Sequence, residues 1–229
     1  MTATPRPVTG APEPPRPLRL LVVVAHPADA DDAIGGTVAG WVAAGTEARL
    51  VCCTSGDATG DDARSDPLEL AAGREHGQRE AAAVLGYAEV SFLHAPDGAL
   101  ANDLALREQL VRCIRTFRPD TMATCDPRVL LHASGRVNHV DHRTAGAAAI
   151  DAQPAAANAM AFSHLARVED LPPHRVGRLL LFGTDDPGYL LDVSAAVELK
   201  ARALRADPAR DRGTVEPSPI EAFSIVELA

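Results

Sequence analysis

Short apolar runs rich in leucine and valine alternate along most of the chain with segments whose apolar residues recur every three to four positions. A continuous apolar run bounded by polar residues fits a strand buried on both faces, and the recurrence fits an amphipathic helix. The pattern predicts strands over 18–25, 48–54, 89–93 and 121–125, with helices over 33–44, 71–85 and 104–117 between them. After a polar stretch it predicts an alanine-rich helix over 141–152 and a less regular segment with Pro154, Pro172 and Pro173. Strands over 178–182 and 189–193 follow, joined by a turn at 185–188, then a last helix over 195–206. This order implies an α/β fold, a Rossmann-like three-layer α/β/α arrangement with a mostly parallel sheet and right-handed crossovers. In such a sheet the chemistry collects at the C-terminal strand ends.

The ends of the chain read differently. Residues 1–17 are proline-rich with almost no large apolar side chains, which predicts a flexible tail ahead of a single domain over 18–229. Residues 207–219 read as loose, and 220–228 as apolar enough to pack back. No internal repeat is present.

Composition narrows the partners. A formal net charge of -9 from 22 basic and 31 acidic residues argues against a nucleic-acid partner, which needs clustered Lys and Arg. No apolar run reaches the ~18 residues needed to span a bilayer, and the N-terminus lacks the layout of a signal peptide, so no membrane partner and a cytoplasmic location are expected. Cys52, Cys53, Cys113 and Cys125 form no Cys-x-x-Cys pair and fall in or beside apolar runs, so buried reduced thiols and no disulfide are expected. The proline-rich segment after the alanine-rich helix is the candidate contact for a homo-oligomer.

The candidate chemistry sits in two clusters. Residues 25–37 read Ala-His-Pro-Ala-Asp-Ala-Asp-Asp-Ala-Ile-Gly-Gly-Thr directly after the first strand, and residues 139–142 read His-Val-Asp-His after the fourth. In a doubly wound sheet both loops face one crevice. Imidazoles and a carboxylate converging with an open coordination position form the pattern of a catalytic zinc site. A lone His at a strand end is more often a satisfied surface or core residue; two His/Asp clusters at adjacent mouths favour the metal.

Together these residues resemble the PIG-L/LmbE-type deacetylases, metal-dependent enzymes that remove acyl groups from amino sugars and related metabolites. The resemblance rests on Ala25-His-Pro-Ala-Asp29 with Gly35-Gly-Thr37, and on His139-Val-Asp-His142. Shorter pieces lie between them and beyond: Thr54-Ser-Gly-Asp57, Arg74-Glu75, Pro96-Asp-Gly98, Asp126-Pro127 and Phe182-Gly-Thr184. It implies a zinc ion held by His26, Asp29 and His142, and a small N-acylated metabolite as substrate. His139 would stabilise the oxyanion and protonate the leaving amine, and Arg74 and Asp97 would hold sugar hydroxyls. For Arg74 a surface ion pair, and for Asp97 a turn role, stand as even alternatives. Asp141 or Asp126 would orient an imidazole, unless Asp141 only caps the helix.

One position departs from the family. Where its Asp takes a proton from the attacking water, this chain has Ala28. We expect metal binding to survive and catalysis to suffer, rather than Asp31 or Asp32 supplying the base. A non-catalytic metal-containing metabolite-binding protein is the alternative, and a nucleotide-binding domain, lacking Gly-x-Gly-x-x-Gly, is the weakest.

Overall fold

The structure, a computed structural model, describes residues 6–8, 10, 12–60, 62–209 and 216–228. Its elements run β1 (Arg6–Pro7), β2 (Arg19–Val24), α1 (Asp29–Ala43), β3 (Glu47–Thr54), α2 (Pro67–Leu85), β4 (Glu89–Ala95) and α3 (Leu104–Phe117). They continue with β5 (Thr121–Cys125), α4 (Val140–Ala157), α5 (Ser163–Val168), β6 (Arg178–Phe182), β7 (Tyr189–Asp192), α6 (Val197–Leu204) and β8 (Ile220–Glu227). The strands form one sheet in the order β1-β7-β8-β6-β5-β2-β3-β4. The block from β4 to β6 is parallel throughout, and β8 enters antiparallel between β6 and β7.

Central strand β2 explains the layering. Its side chains alternate between faces, so Leu20, Val22 and Val24 pack with Ile34, Val38, Ala81, Leu85 and Ala203 from α1, α2 and α6. Leu21 and Val23, with Ala25 just beyond the strand, pack on the other face with Leu110, Ile114, Ala145 and Ala149 from α3 and α4. Every residue from Leu20 to Ala25 is at most 1% exposed, which is why this stretch reads as one unbroken apolar run. All four cysteines are free, and burial pushes the Cys113 thiol up to about 11. The mostly parallel three-layer α/β/α architecture is therefore the one the pattern predicts.

Four differences from the sequence expectation have identifiable causes. Helix α1 begins at Asp29, ahead of the predicted start, because its first turn is acidic, which suits the positive end of the helix dipole but shows no apolar periodicity. A kink at Ile34 (φ -139°) divides it. Helix α2 starts at Pro67 with Asp66 as its cap and a proline in the first turn, both polar-end signals outside the apolar pattern. Helix α5 lies in the segment read as irregular.

The fourth concerns the ends. Within the segment expected to be a flexible tail, Arg6–Pro7 pairs with β7, and Pro14 and Pro17 are buried; residues 1–5, 9 and 11 lie outside the described residues. The segment read as loose puts Asp207 into the interior, and residues 210–215 lie outside the described residues. Among the described residues, no helix is long and apolar enough to cross a membrane.

One glycine fixes how α4 meets the sheet. A β-carbon at Gly146 would collide with the carbonyl oxygen of Cys125 at the end of β5, so glycine lets the helix start press onto the strand mouth. That contact brings the residues just before and at the start of α4 over the end of β2.

Candidate metal and catalytic site

The loop between β2 and α1 is pinned from three sides. Thr54 donates its backbone N–H and its hydroxyl to the Ala25 carbonyl at 2.9 and 3.0 Å, and the Arg74 guanidinium donates to the Pro27 carbonyl at 2.9 Å. The Ala28 N–H donates to Oε1 of Gln78, whose Nε2 in turn donates to Asp31 at 3.0 Å. Asp29 closes the loop on itself, accepting the His26 N–H at 2.9 Å. Ala28, at the N-terminus of α1, is 5% exposed and holds φ 71°, a left-handed conformation disfavoured for a residue with a β-carbon.

His26 is almost wholly buried and meets carboxylates at both ring nitrogens. Nε2 lies 2.9 Å from Oδ1 of Asp97 and 3.3 Å from Oδ2 of Asp141, while Nδ1 lies 3.4 Å from Asp29. The second oxygen of Asp29 is 3.3 Å from Nε2 of His142. Asp29 therefore lies between the two rings, while Asp97 and Asp141 hold His26 at Nε2. Asp141, fully buried, also accepts the N–H groups of Gly98 and Leu100. His139 completes the cluster, its ring centroid 5.1 Å from that of His26 and 5.6 Å from that of His142.

Charge in this cluster is unbalanced. Burial works against protonation of His26, but the hydrogen bonds and charges of Asp29 and Asp97 outweigh it and push its pKa up to about 10. Burial likewise opposes ionisation of Asp29, yet His142 and His26 hold its carboxyl far below the usual range. A field that keeps a proton this firmly also favours a metal cation among the same atoms. Among the described residues, two sets of three potential ligand atoms lie within 4.8 Å of one another, His26/His139/His142 and His26/Asp97/Asp141. Asp29 belongs to neither set, although its two oxygens stand at 3.3 and 3.4 Å from two of the rings.

These groups open into a cleft of about 330 Å³ lined by His26, Asp29, Ala58, Thr59, Arg74, Asp97, His139 and His142. A larger cavity of about 460 Å³ lies at the start of β6 against α4, among Ile150, Pro154, Val176 and Leu179, and holds none of them. In the smaller cleft three imidazoles, His26, His139 and His142, meet the carboxylates of Asp29 and Asp97, and this is the candidate site. Every site residue singled out from the sequence lies in or beside that cleft, although several do more or other than expected. Arg74 bonds Pro27, Gly56 and Asp207, which makes it a brace of the loop as well as a cleft wall. Asp97 holds His26 and takes the Ala58 N–H. Asp126 accepts from Arg128 through both oxygens and orients no imidazole. The cap of α4 is the His139 ring, not Asp141.

Two contributors were not read from the sequence. Gln78 lies one helical turn after Arg74, so the i, i+4 spacing on α2 could have exposed it. Asp207 could not have been found this way, being 133 residues from its partner.

Residues 21–153, more than half of the chain and a span that includes every site residue singled out from the sequence, match the family described as PIG-L, GlcNAc-PI de-N-acetylase. The chain belongs to the PIG-L family. This PIG-L chain is 28% identical to the diacetylchitobiose deacetylase of Thermococcus kodakarensis over 82% of its own length and 68% of that protein's. Its fold superposes with a TM-score of 0.82 on the N,N'-diacetylchitobiose deacetylase of Pyrococcus horikoshii, at 25% identity, covering 92% of this chain and 84% of that one. It is also similar to the conserved protein TT1542 of Thermus thermophilus, with a TM-score of 0.68, 26% identity, and 85% and 80% coverage.

Proposed function

We propose that this PIG-L protein is a zinc-dependent N-deacetylase that acts on a small N-acylated metabolite, an amino sugar or GlcNAc-containing conjugate, and that Ala28 keeps its turnover low. The observation that carries this reading is the meeting in one cleft of His26, Asp29 and His142 with His139, Arg74 and Asp97. The names of its relatives, deacetylases of diacetylchitobiose, support the substrate class.

The donor set fits zinc: two imidazoles and a carboxylate, with carboxylates behind one ring. Nδ1 of His26, the Asp29 carboxylate and Nε2 of His142 would hold the ion. Bound there, zinc would lower the pKa of water and polarise the amide carbonyl. His139, exposed at the start of α4, faces the cleft and serves as the acid that protonates the departing amine. Arg74 and Asp97 form the wall against which the sugar sits. Position 28 offers only a methyl group, so the proton of the attacking water has no acceptor there. Asp31 is buried against Gln78, whereas Asp32 lines a neighbouring pocket of about 160 Å³ with Asp29 and His142, which makes Asp32 the substitute that must be tested.

The test compares the zinc-loaded chain with Ala28→Asp by acetate release from N,N'-diacetylchitobiose. A gain of about 10²–10⁴-fold is expected, the usual worth of a general base. No gain from an active chain overturns the missing-base reading in favour of Asp32. Ala28 itself favours a second reading, a non-catalytic metal-containing metabolite-binding protein; sugar binding without acetate release by either protein supports it and removes the deacetylase.

A further inference from the structure

A second cluster of side chains, Ser55, Glu75 and His94, joins three segments that each carry a residue of the cleft wall, Ala58, Arg74 and Asp97. Where β3 and β4 lose register, between Cys52/Thr54 and Phe92/Ala95, His94 adopts φ 54°. A bulge of this kind next to a cleft re-aims a side chain, and the left-handed backbone there is disfavoured for any residue with a β-carbon. The His94 side chain is 67% exposed yet tethered: Nδ1 lies 3.1 Å from the Ser55 hydroxyl and 3.2 Å from Oε1 of Glu75. The position is anchored to the cleft at both sides. Three residues on, Asp97 holds His26, and Glu75 is the neighbour of Arg74 on α2.

The hydrogen bonds settle what the ring offers. The Ser55 hydroxyl donates its one proton to Glu75 at 2.7 Å, so Nδ1 of His94 must be the donor to this pair. In the neutral ring Nε2 is then an acceptor, and it has no partner among the described residues. This is not a serine nucleophile with its base, because Ser55 is buried and both Ser55 and Glu75 meet the same ring nitrogen. His132, which lines the neighbouring pocket, is spent: Nδ1 faces Asp185 at 3.3 Å and Nε2 faces Arg136 at 2.9 Å. The cleft, at about 330 Å³, is near the lower end of ligand-pocket sizes of ~300–1,000 Å³, so whatever is linked to the acetamido sugar must lie across its rim.

We propose that His94 is a specificity-determining residue whose Nε2 accepts a hydrogen bond from a hydroxyl of the sugar unit linked to the acetamido sugar in the cleft. This rests on the amino-sugar reading given above. A strained, tethered and outward-facing imidazole thereby favours a disaccharide over a single sugar.

The test measures binding, which Ala28 leaves open, by calorimetry on the zinc-loaded full chain with N-acetylglucosamine and with N,N'-diacetylchitobiose. Three proteins are compared: the unaltered chain, His94→Gly, which suits the left-handed backbone but has no ring, and His94→Asn, which tolerates it and keeps an acceptor. The unaltered chain is expected to bind the disaccharide more tightly than the monosaccharide. His94→Gly should lose about two- to tenfold in disaccharide affinity, the range of one net hydrogen bond, with monosaccharide affinity unchanged, and His94→Asn should recover part of the loss. His94→Gly should also melt at a higher temperature. Equal disaccharide binding by His94→Gly, or an equal loss for both sugars, overturns the proposal and leaves the amino-sugar reading standing. Failure of the unaltered chain to bind either sugar overturns both.

Discussion

Helix α1 lies between two buried polar clusters that differ in one respect, the balance of charge. At its kink, Glu221 of β8 accepts the N–H groups of Gly36 and Thr37 at 2.8 and 2.7 Å and pairs with Lys200 of α6 at 2.8 Å, with both side chains 1% exposed. Each oxygen has a donor, and the two charges cancel. At its N-terminus, Asp29, Asp97 and Asp141 crowd around His26 and His142, and carboxylates outnumber imidazoles. The first cluster is architecture. The second, with its excess of carboxylates, is the one we propose carries function.

Substitutions can separate the two. The largest effect is expected for Lys200→Met, which leaves Glu221 charged and unpaired in the core and should cost about 3–5 kcal/mol by urea denaturation. Zinc affinity per folded molecule should hold; a loss there as large as the loss of stability would break the distinction. Next, Asp141→Asn removes a charge behind His26 and should weaken zinc binding by ~10–100-fold in a chelator competition. Unchanged affinity would show that His26 needs no orientation from that side. The smallest effect tests the loop between the β2 end and α1. Ala28→Asn should stabilise the metal-free protein by about 1 kcal/mol, because Asn adopts the left-handed backbone more readily than Ala, while leaving acetate release where it is. A rise in turnover equal to that of Ala28→Asp would mean that backbone strain, not the missing base, limits the chain.

These clusters also mark what sequence can and cannot disclose. Strands β2, β3 and β5 are legible because their burial leaves apolar runs, and the His26 and His139–His142 motifs are legible because each is local. Sites in doubly wound sheets collect at strand mouths, which brings the two motifs together without knowledge of side chains. Start positions of α1 and α2 are hidden because caps and acidic first turns are polar. The partnership of Glu221 with Gly36, and of Asp207 with Arg74, is hidden because neither spacing nor periodicity encodes a contact made only in three dimensions. The tethering of His94 is hidden for the same reason: Ser55 follows β3, Glu75 lies on α2 and His94 on β4. Asp97 shows the converse case. The resemblance implies a contact with substrate, while in the structure its carboxylate meets the His26 ring and the Ala58 N–H, each at 2.9 Å.

The position of β8 has a consequence in time. Glu221 reaches back 185 positions to Gly36, and β8 slots between β6 and β7 instead of extending an edge. During synthesis the chain presents His26, Asp29 and His142 long before residues 220–227 exist to lock the α1 kink and fill the sheet. A ribosome paused ahead of Ile220 would hold a complete set of ligands on an incomplete scaffold. On the metal-site reading proposed above, the centre would reach its final geometry only once the last strand has closed the sheet.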